Sequence, residues 1–195
     1  MRWLAALLLL VGAAGSAWGQ LNVDRVSVAV EKRDGHDWCR LDVQVSGLVP
    51  LSVGALAAVI QDYPSYTTLF PHVQDLRFEQ SGGDTLLSET VAVSVLGVEN
   101  INRFTLRLTA DSTSTGFHLP WVQENTDGSI DSLEGEWLLQ DRSLPGKPQT
   151  WVSYRTKSAV RSTAFGQDLL LRMFLGGETK NIVDAVVRAA GLRTH

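Results

Sequence analysis

The stretch AFGQDLLLRMFLGGETKNIVDAVVRAA, residues 164–190, decides how the rest of the chain is read. Beyond the first 19 residues it is the only long uninterrupted helical pattern, and most of what precedes it alternates with the period of a strand. At about 100° per residue, Phe165, Leu169, Gly176, Val183, Val187 and Ala190 fall on one narrow stripe. A single long helix after many strands predicts a curved sheet wrapped around that helix. Two features disturb the stripe. Gly176 and Gly177 sit in its middle, and Leu170, Leu171, Phe174 and Leu175 are apolar outside it. A helical glycine costs about 1 kcal/mol relative to alanine, so either a strand or a ligand is expected to approach closely at Gly176. On this reading Gly176→Leu lowers ligand capacity more than stability. The half after Gly177 is expected to seal the sheet. The half before it, with Met173 near the stripe, is expected to border a pocket mouth.

The chain has 195 residues, 44% of them apolar and 19% charged, which describes a globular protein with a real core. Arg2 followed by the apolar run at 3–14 and small residues up to Gly19 has the pattern of a cleaved secretory signal. That run is too short to span a bilayer. Residues 20–195 are then expected to form a single domain, periplasmic or secreted. Cys39 is the only cysteine, so no intramolecular disulfide can form, and its strand-like surroundings predict a buried, inert thiol. The formal charge of −4 becomes −5 without Arg2, which argues against a nucleic-acid partner. No cofactor is expected, because no glycine-rich phosphate loop appears. No metal is expected either, because none of His36, His72, His118 and His195 stands at ligand spacing from a second donor.

Residues 23–32 alternate with Val26, Val28 and Val30 on one face, turn at Arg33-Asp34-Gly35, and pair with a second alternating run at 38–45. The period then changes. Val53, Leu56 and Ile60 recur at helical spacing behind Ser52, a capping residue. Tyr63-Pro64 breaks that helix, and a second short one is expected at 65–69. From Val73 onward the period is two. Phe104, Leu106 and Leu108 share a face, as do Phe117, Leu119 and Trp121. Leu133, Gly135, Trp137 and Leu139 form a third set, and Thr150, Val152 and Tyr154 a fourth. Residues 111–115 read as a polar connection.

Several phrases recur in this order: Val49-Pro50 before the first helix, Asp62-Tyr63-Pro64-Ser65-Tyr66, and Leu69-Phe70-Pro71-His72-Val73. Leu133-Glu134-Gly135-Glu136-Trp137-Leu138-Leu139 and Thr150-Trp151-Val152-Ser153-Tyr154 follow. Together they resemble the START/SRPBCC superfamily, in particular its polyketide cyclase/dehydrase and coenzyme-Q-binding-like branch, over residues 38–190. The resemblance implies an α+β helix-grip fold. About seven antiparallel strands would curve around the long C-terminal helix, with two short helices after the first strands. Residues 21–33 are extra to the minimal fold. It also implies a cavity for an apolar or amphipathic ligand such as a lipid, quinone or polyketide, with a minority of cyclases and hydrolases in the superfamily.

Within that frame Phe104, Phe117, Trp121, Trp137, Tyr154, Met173 and Gly176 are the expected ligand-binding residues. Tyr154 brings a hydroxyl into apolar space, where such a group needs a partner. Arg103 would join it only if a bulge near Gly97 reversed its strand. His118, Glu134 and Glu136 alternate to the solvent side. Asp62 is expected to accept backbone hydrogen bonds at the elbow. No catalytic constellation is evident, so the favoured function is an exported, non-enzymatic binder of a hydrophobic small molecule. The alternatives are an envelope module with a filled core and, behind it, a cyclase-like enzyme using Tyr154. The apolar surface around Leu170 and Phe174 would make transient contact with a membrane or partner, unless the strand at 23–32 or the short helices cover it.

Overall fold

The computed structural model describes residues 20–95, 98–126, 130–161 and 167–194, and for 93–100 and 162–175 the backbone alone where it is described. The proposed leader at 1–19 and Phe165 therefore lie outside the described residues, as do the side chains of Leu169, Leu170, Leu171, Met173, Phe174 and Leu175. The chain opens with a long hairpin, β1 (Gln20–Arg33) and β2 (His36–Val49), turned by Asp34 and Gly35 at positive φ. Such angles are tolerated by Asp and natural for Gly. Helix α1 (Val53–Ile60) follows, and its N-cap Ser52 accepts a hydrogen bond from the Ala55 amide at 3.2 Å. A 3₁₀ turn (Tyr63–Ser65) leads into α2 (Tyr66–Leu69). Strands β3 (Val73–Ser81), β4 (Asp84–Val95), β5 (Val98–Leu108), β6 (Asp111–Thr113), β7 (Gly116–Thr126), β8 (Ile130–Asp141) and β9 (Thr150–Arg161) come next, and α3 (Gln167–Arg193) ends the chain.

The strands form one antiparallel sheet in the order β1-β2-β9-β8-β7-β5-β4-β3, with β6 attached to β7. The chain crosses from β2 to the far edge through α1 and α2, then returns strand by strand until β9 pairs with β2. This is an α+β helix-grip architecture, with nine strands rather than about seven. One extra strand is the N-terminal β1. The other is β6, which falls where a polar connection was expected. Its three polar residues hold too little apolar pattern to announce a strand, yet Asp111–Thr113 pairs with the first residues of β7.

Alternation puts one face of the sheet inside. Val45 of β2, Tyr154 of β9, Trp137 of β8 and Leu119 of β7 are successive ladder partners, and all are buried. The second half of α3 lies against β1, β2 and α1, burying Thr179, Val183, Val186, Val187 and Ala190. Each large apolar side chain buried there contributes roughly 1.5–3 kcal/mol. Thr150, fully buried, donates its hydroxyl to the Leu51 carbonyl at 2.7 Å, tying the start of β9 to the entry of α1. Asp62 accepts from the side chains of Ser65 (2.7 Å) and Arg193 rather than from backbone amides, so the elbow is fastened to the end of α3. Those two hydrogen bonds, Ser65 first, hold its carboxyl below the ordinary range. Cys39 is buried and free of any disulfide.

A register shift between Val23 and Arg25 bulges β1 at Asp24. The bulge lets Val23 and Val26, three positions apart, face the same way. A Cβ built on Gly176 would stand 3.0 Å from Val26 Cγ2 and 3.3 Å from Val23 Cγ1. The glycine in the helical stripe therefore admits a strand. Of the two occupants expected there, the structure has β1.

Candidate functional site

The outer face of the sheet is a lattice of cross-strand charge pairs. Asp42 lies between Arg155 (2.7 Å) and Arg25 (3.2 Å). The hydrogen bond from Arg155 is the main reason its carboxyl sits below the ordinary range. Lys157 pairs with Glu134 at 2.9 Å, His118 with Glu136 at 2.8 Å and Arg107 with Glu124 at 2.6 Å. His118, Glu134 and Glu136 are thus on the solvent side, as their phase in the strands requires. Arg103 is exposed on the same side. It borders an open depression of about 470 Å³ whose lining also includes Asp75, Arg77, Ser88, Glu89, Phe104 and Thr105. This dip is open to solvent and is lined by residues of both phases of β4 and β5.

The inner face carries the aromatic residues. Phe104, Phe117, Trp121, Trp137 and Tyr154 all belong to the central cluster of buried residues. Trp121 lies across its ladder partner Gly135, where a Cβ would be only 2.2 Å from the indole Cζ2 and 2.3 Å from the Arg155 carbonyl oxygen. Any side chain at 135 would displace the indole or the neighbouring strand. Trp137 and Tyr154, paired across β8 and β9, tilt against each other with ring centroids 4.4 Å apart. Phe117 and Leu119 are almost fully buried, whereas Phe104, Trp121 and Tyr154 each keep 8–9% of their surface. The short helices add a second aromatic group. Tyr63 and Tyr66 meet edge-on at 5.6 Å, and Tyr66 packs edge-on against Phe70 at 4.9 Å.

One polar residue lies among them that strand alternation passes over. Glu89 is the ladder partner of Phe104 and follows Thr85 and Leu87 in the inward phase of β4. It is half-buried and lines the open depression beside Phe104. Burial pushes that carboxyl up to about 7, and no hydrogen bond or cation works against the shift. Tyr154 responds to the same surroundings. Burial first, and the Glu89 charge second, hold its phenol well above the ordinary range. The Tyr66 phenol is raised likewise, by burial and then by the charges of Tyr63 and Glu89 among others. The other polar groups nearby are already engaged. The Tyr66 hydroxyl donates to the Ile60 carbonyl, and the Tyr63 hydroxyl bonds to Thr85. Tyr154, 9% exposed, has no hydrogen-bond partner among the described residues. Among the described residues no titratable group is within hydrogen-bond reach of it, the geometry that a Tyr154-based enzyme was expected to need.

The structure thus brings Phe104, Phe117, Trp121, Trp137 and Tyr154 onto one surface and adds Glu89. Met173 falls on the helix half whose side chains lie outside the description. The sequence did carry a signal for Glu89. In the run 85–91, TLLSETV, it is the charged residue in phase with Leu87 and Val91.

No family model matches the chain, and no curated protein matches it at the sequence level. Solved structures do match. The STAR-related lipid transfer protein from Xanthomonas axonopodis superimposes with a TM-score of 0.61 at 10% identity, over 86% of this chain and 99% of that one. The Zhui aromatase/cyclase from Streptomyces sp. R1128 gives 0.59 at 18% identity, over 80% and 96%. Human STARD10 gives 0.60 at 6% identity, over 87% and 76%. The fold is the START/SRPBCC-like helix-grip fold. At these identities the likeness is one of fold, and function has to be argued from the site.

Proposed function

We propose that the protein binds and carries a hydrophobic or amphipathic small molecule, lipid-, quinone- or polyketide-like, held between the inner face of the sheet and α3. One observation carries this reading. Phe104, Trp121 and Tyr154 belong to the buried cluster, yet each retains 8–9% of its surface. An apolar chain laid against them contributes roughly 0.8 kcal/mol per CH₂, so few polar contacts are needed. The fold, which structures named for lipid transfer and for aromatase/cyclase activity also adopt, supports it. The apolar run at 3–14 supports action outside the cytoplasm, in the periplasm or as a secreted protein. No described helix is long and apolar enough to cross a membrane. Native mass spectrometry of the purified protein, before and after organic extraction, tests the proposal. The expected result is a co-purified apolar ligand, or a thermal shift with members of a lipid, quinone and polyketide panel. Protein free of ligand and unmoved by the whole panel would overturn it.

A second reading draws on Glu89. Its carboxyl, raised by burial to about 7, lies in the range where a general acid or base works at neutral pH. A carrier returns its ligand chemically unchanged, and recovery of an altered panel compound after incubation would favour the enzyme.

A further inference from the structure

We propose that the outer edge of β1 is a dimerisation surface, on which a second copy of this chain pairs antiparallel about a two-fold axis at Val28. The surface is independent of the ligand proposed above.

Strand β1 is one end of the sheet. The turn that joins it to β2 is Asp34-Gly35, both at positive φ, with Arg33 paired to His36. In such a hairpin the residues flanking the turn exchange hydrogen bonds, and so does every second residue back along the strand. The amides and carbonyls of Ser27, Ala29 and Glu31 therefore face β2. Those of Val26, Val28, Val30 and Lys32 point to the edge, where no described strand meets them. Val30 is 53% exposed there. A row of unpaired backbone groups is a template for another strand.

The side chains decide which strand. With Val28 of two copies opposite each other, Val26 of each copy faces Val30 of the other, and Arg25 of each faces Glu31 of the other. Ser27 faces Ala29, and both are small. The next alignment in one direction that keeps the hydrogen bonds puts Arg25 opposite Arg33, and in the other puts Glu31 opposite Val23. The alignment at Val28 is the one of these that joins opposite charges. Each contact occurs twice, as a two-fold interface requires. Within its own chain Arg25 already bonds Asp42 at 3.2 Å, and Glu31 bonds Arg40 at 2.8 Å, both on the outer face. In the dimer Arg40 and Glu31 of one copy meet Arg25 and Asp42 of the other, so the charge lattice of the outer face continues across the axis. On the inner side the β-branched valines pair and cover Val30. The bulge at Asp24 ends the new ladder.

Sedimentation velocity of the full chain between about 1 and 200 µM tests the proposal, and a monomer–dimer equilibrium is expected in that range. Arg25→Glu and Glu31→Arg each set like charges opposite one another at both ends of the ladder, and each should weaken association at least about tenfold. Mixed in equal amounts, the two variants are complementary again. The new carboxylate of one faces the new guanidinium of the other, and Glu31 of the first faces Arg25 of the second. The mixture should associate to within about threefold of the wild type. Val30→Pro removes an amide that points to the edge and not to β2. It too should weaken association at least about tenfold, with thermal unfolding of the monomer nearly unchanged. A wild type that stays monomeric across the range, a dimer indifferent to Val30→Pro, or a mixture no tighter than either variant alone would overturn the proposal.

Discussion

The two ends of the sheet's inner face are built differently. Toward β2, β9 and β8, the sheet meets α1 and the second half of α3 through Val45, Val49, Ile60, Leu139 and Val183, none with any exposed surface. Toward β4 and β5, the same face carries Glu89, Asn102 and Phe104. Here polar atoms sit among rings, and the side chains keep surface. Strand alternation is equally regular at both ends, so periodicity alone does not separate a region that stabilises from one that binds. What separates them is the presence of polar groups among the inward side chains, Glu89 above all, whose carboxyl burial raises. Stability is concentrated at the first end. At the second, free energy is given up in holding Glu89 away from water.

Substitutions should break this contrast in a graded way. The largest effect belongs to the sealed end. Leu139→Ala removes a fully buried side chain from the centre of the packing and should cost about 2–5 kcal/mol in denaturant unfolding, with the protein's preference among bound ligands intact. Next comes Glu89, where the effect has the opposite sign and depends on pH. Its carboxyl is raised to about 7 in the folded protein, so the folded state resists ionising it while the unfolded chain does not. No penalty exists below the ordinary carboxylate range. It grows as pH rises from there and is complete above about 7, at roughly 3 kcal/mol. Glu89→Gln should therefore be more stable than wild type at pH 8 and nearly equal at pH 4, and a pH-independent difference would refute the burial argument. Asp42 and Asp62, held below the ordinary range, act in a lower pH window and with the opposite sign. They do not confuse the comparison.

Gly176→Leu should follow in size. Val23 and Val26 already occupy the space, so overpacking should cost about 1–3 kcal/mol. Stability, measured by thermal unfolding, should fall more than ligand capacity, the reverse of what the helical pattern alone suggests. The smallest effect is expected for Tyr154→Phe. Removing a hydroxyl without a partner among the described residues should change stability by less than about 1 kcal/mol, so a large loss in calorimetry would reveal a bond that the folded protein makes at Oη.

The sequence made much of this fold legible, for definite reasons. Strands with one wet face write their pattern at period two, so the faces of Phe104, Leu106 and Leu108, and of Leu133, Trp137 and Leu139, could be assigned directly. The hairpin of β1 and β2 was announced by Arg33-Asp34-Gly35, and α1 by Ser52 and its spacing. Three things were not legible. Asp111–Thr113 is too short and polar to carry a period. The contact of β1 with α3 depends on a bulge at Asp24, which shifts phase by one residue without any glycine or proline to mark it. Glu89 was passed over because alternation is judged by the apolar residues that fit. Here the informative residue was the charged one in the apolar phase. Gly176 was recognised as needing a close neighbour, but a glycine records the lack of a side chain and not the identity of what fills the gap.

The position of β9 has a further consequence, for the order in which the structure can assemble. Trp38 pairs with Arg161 and Val49 with Thr150, so the middle of the sheet joins segments more than 100 residues apart. The β1–β2 hairpin is local and can form on the microsecond scale typical of hairpins. It then presents a two-stranded edge with no partner until the last strand arrives, and α3 can dock only after that. Folding should be limited by closure of this distant pair, with rates in the millisecond-to-second range of sheet-dominated domains. In the meantime the β2 edge is the segment most open to pairing with the wrong chain.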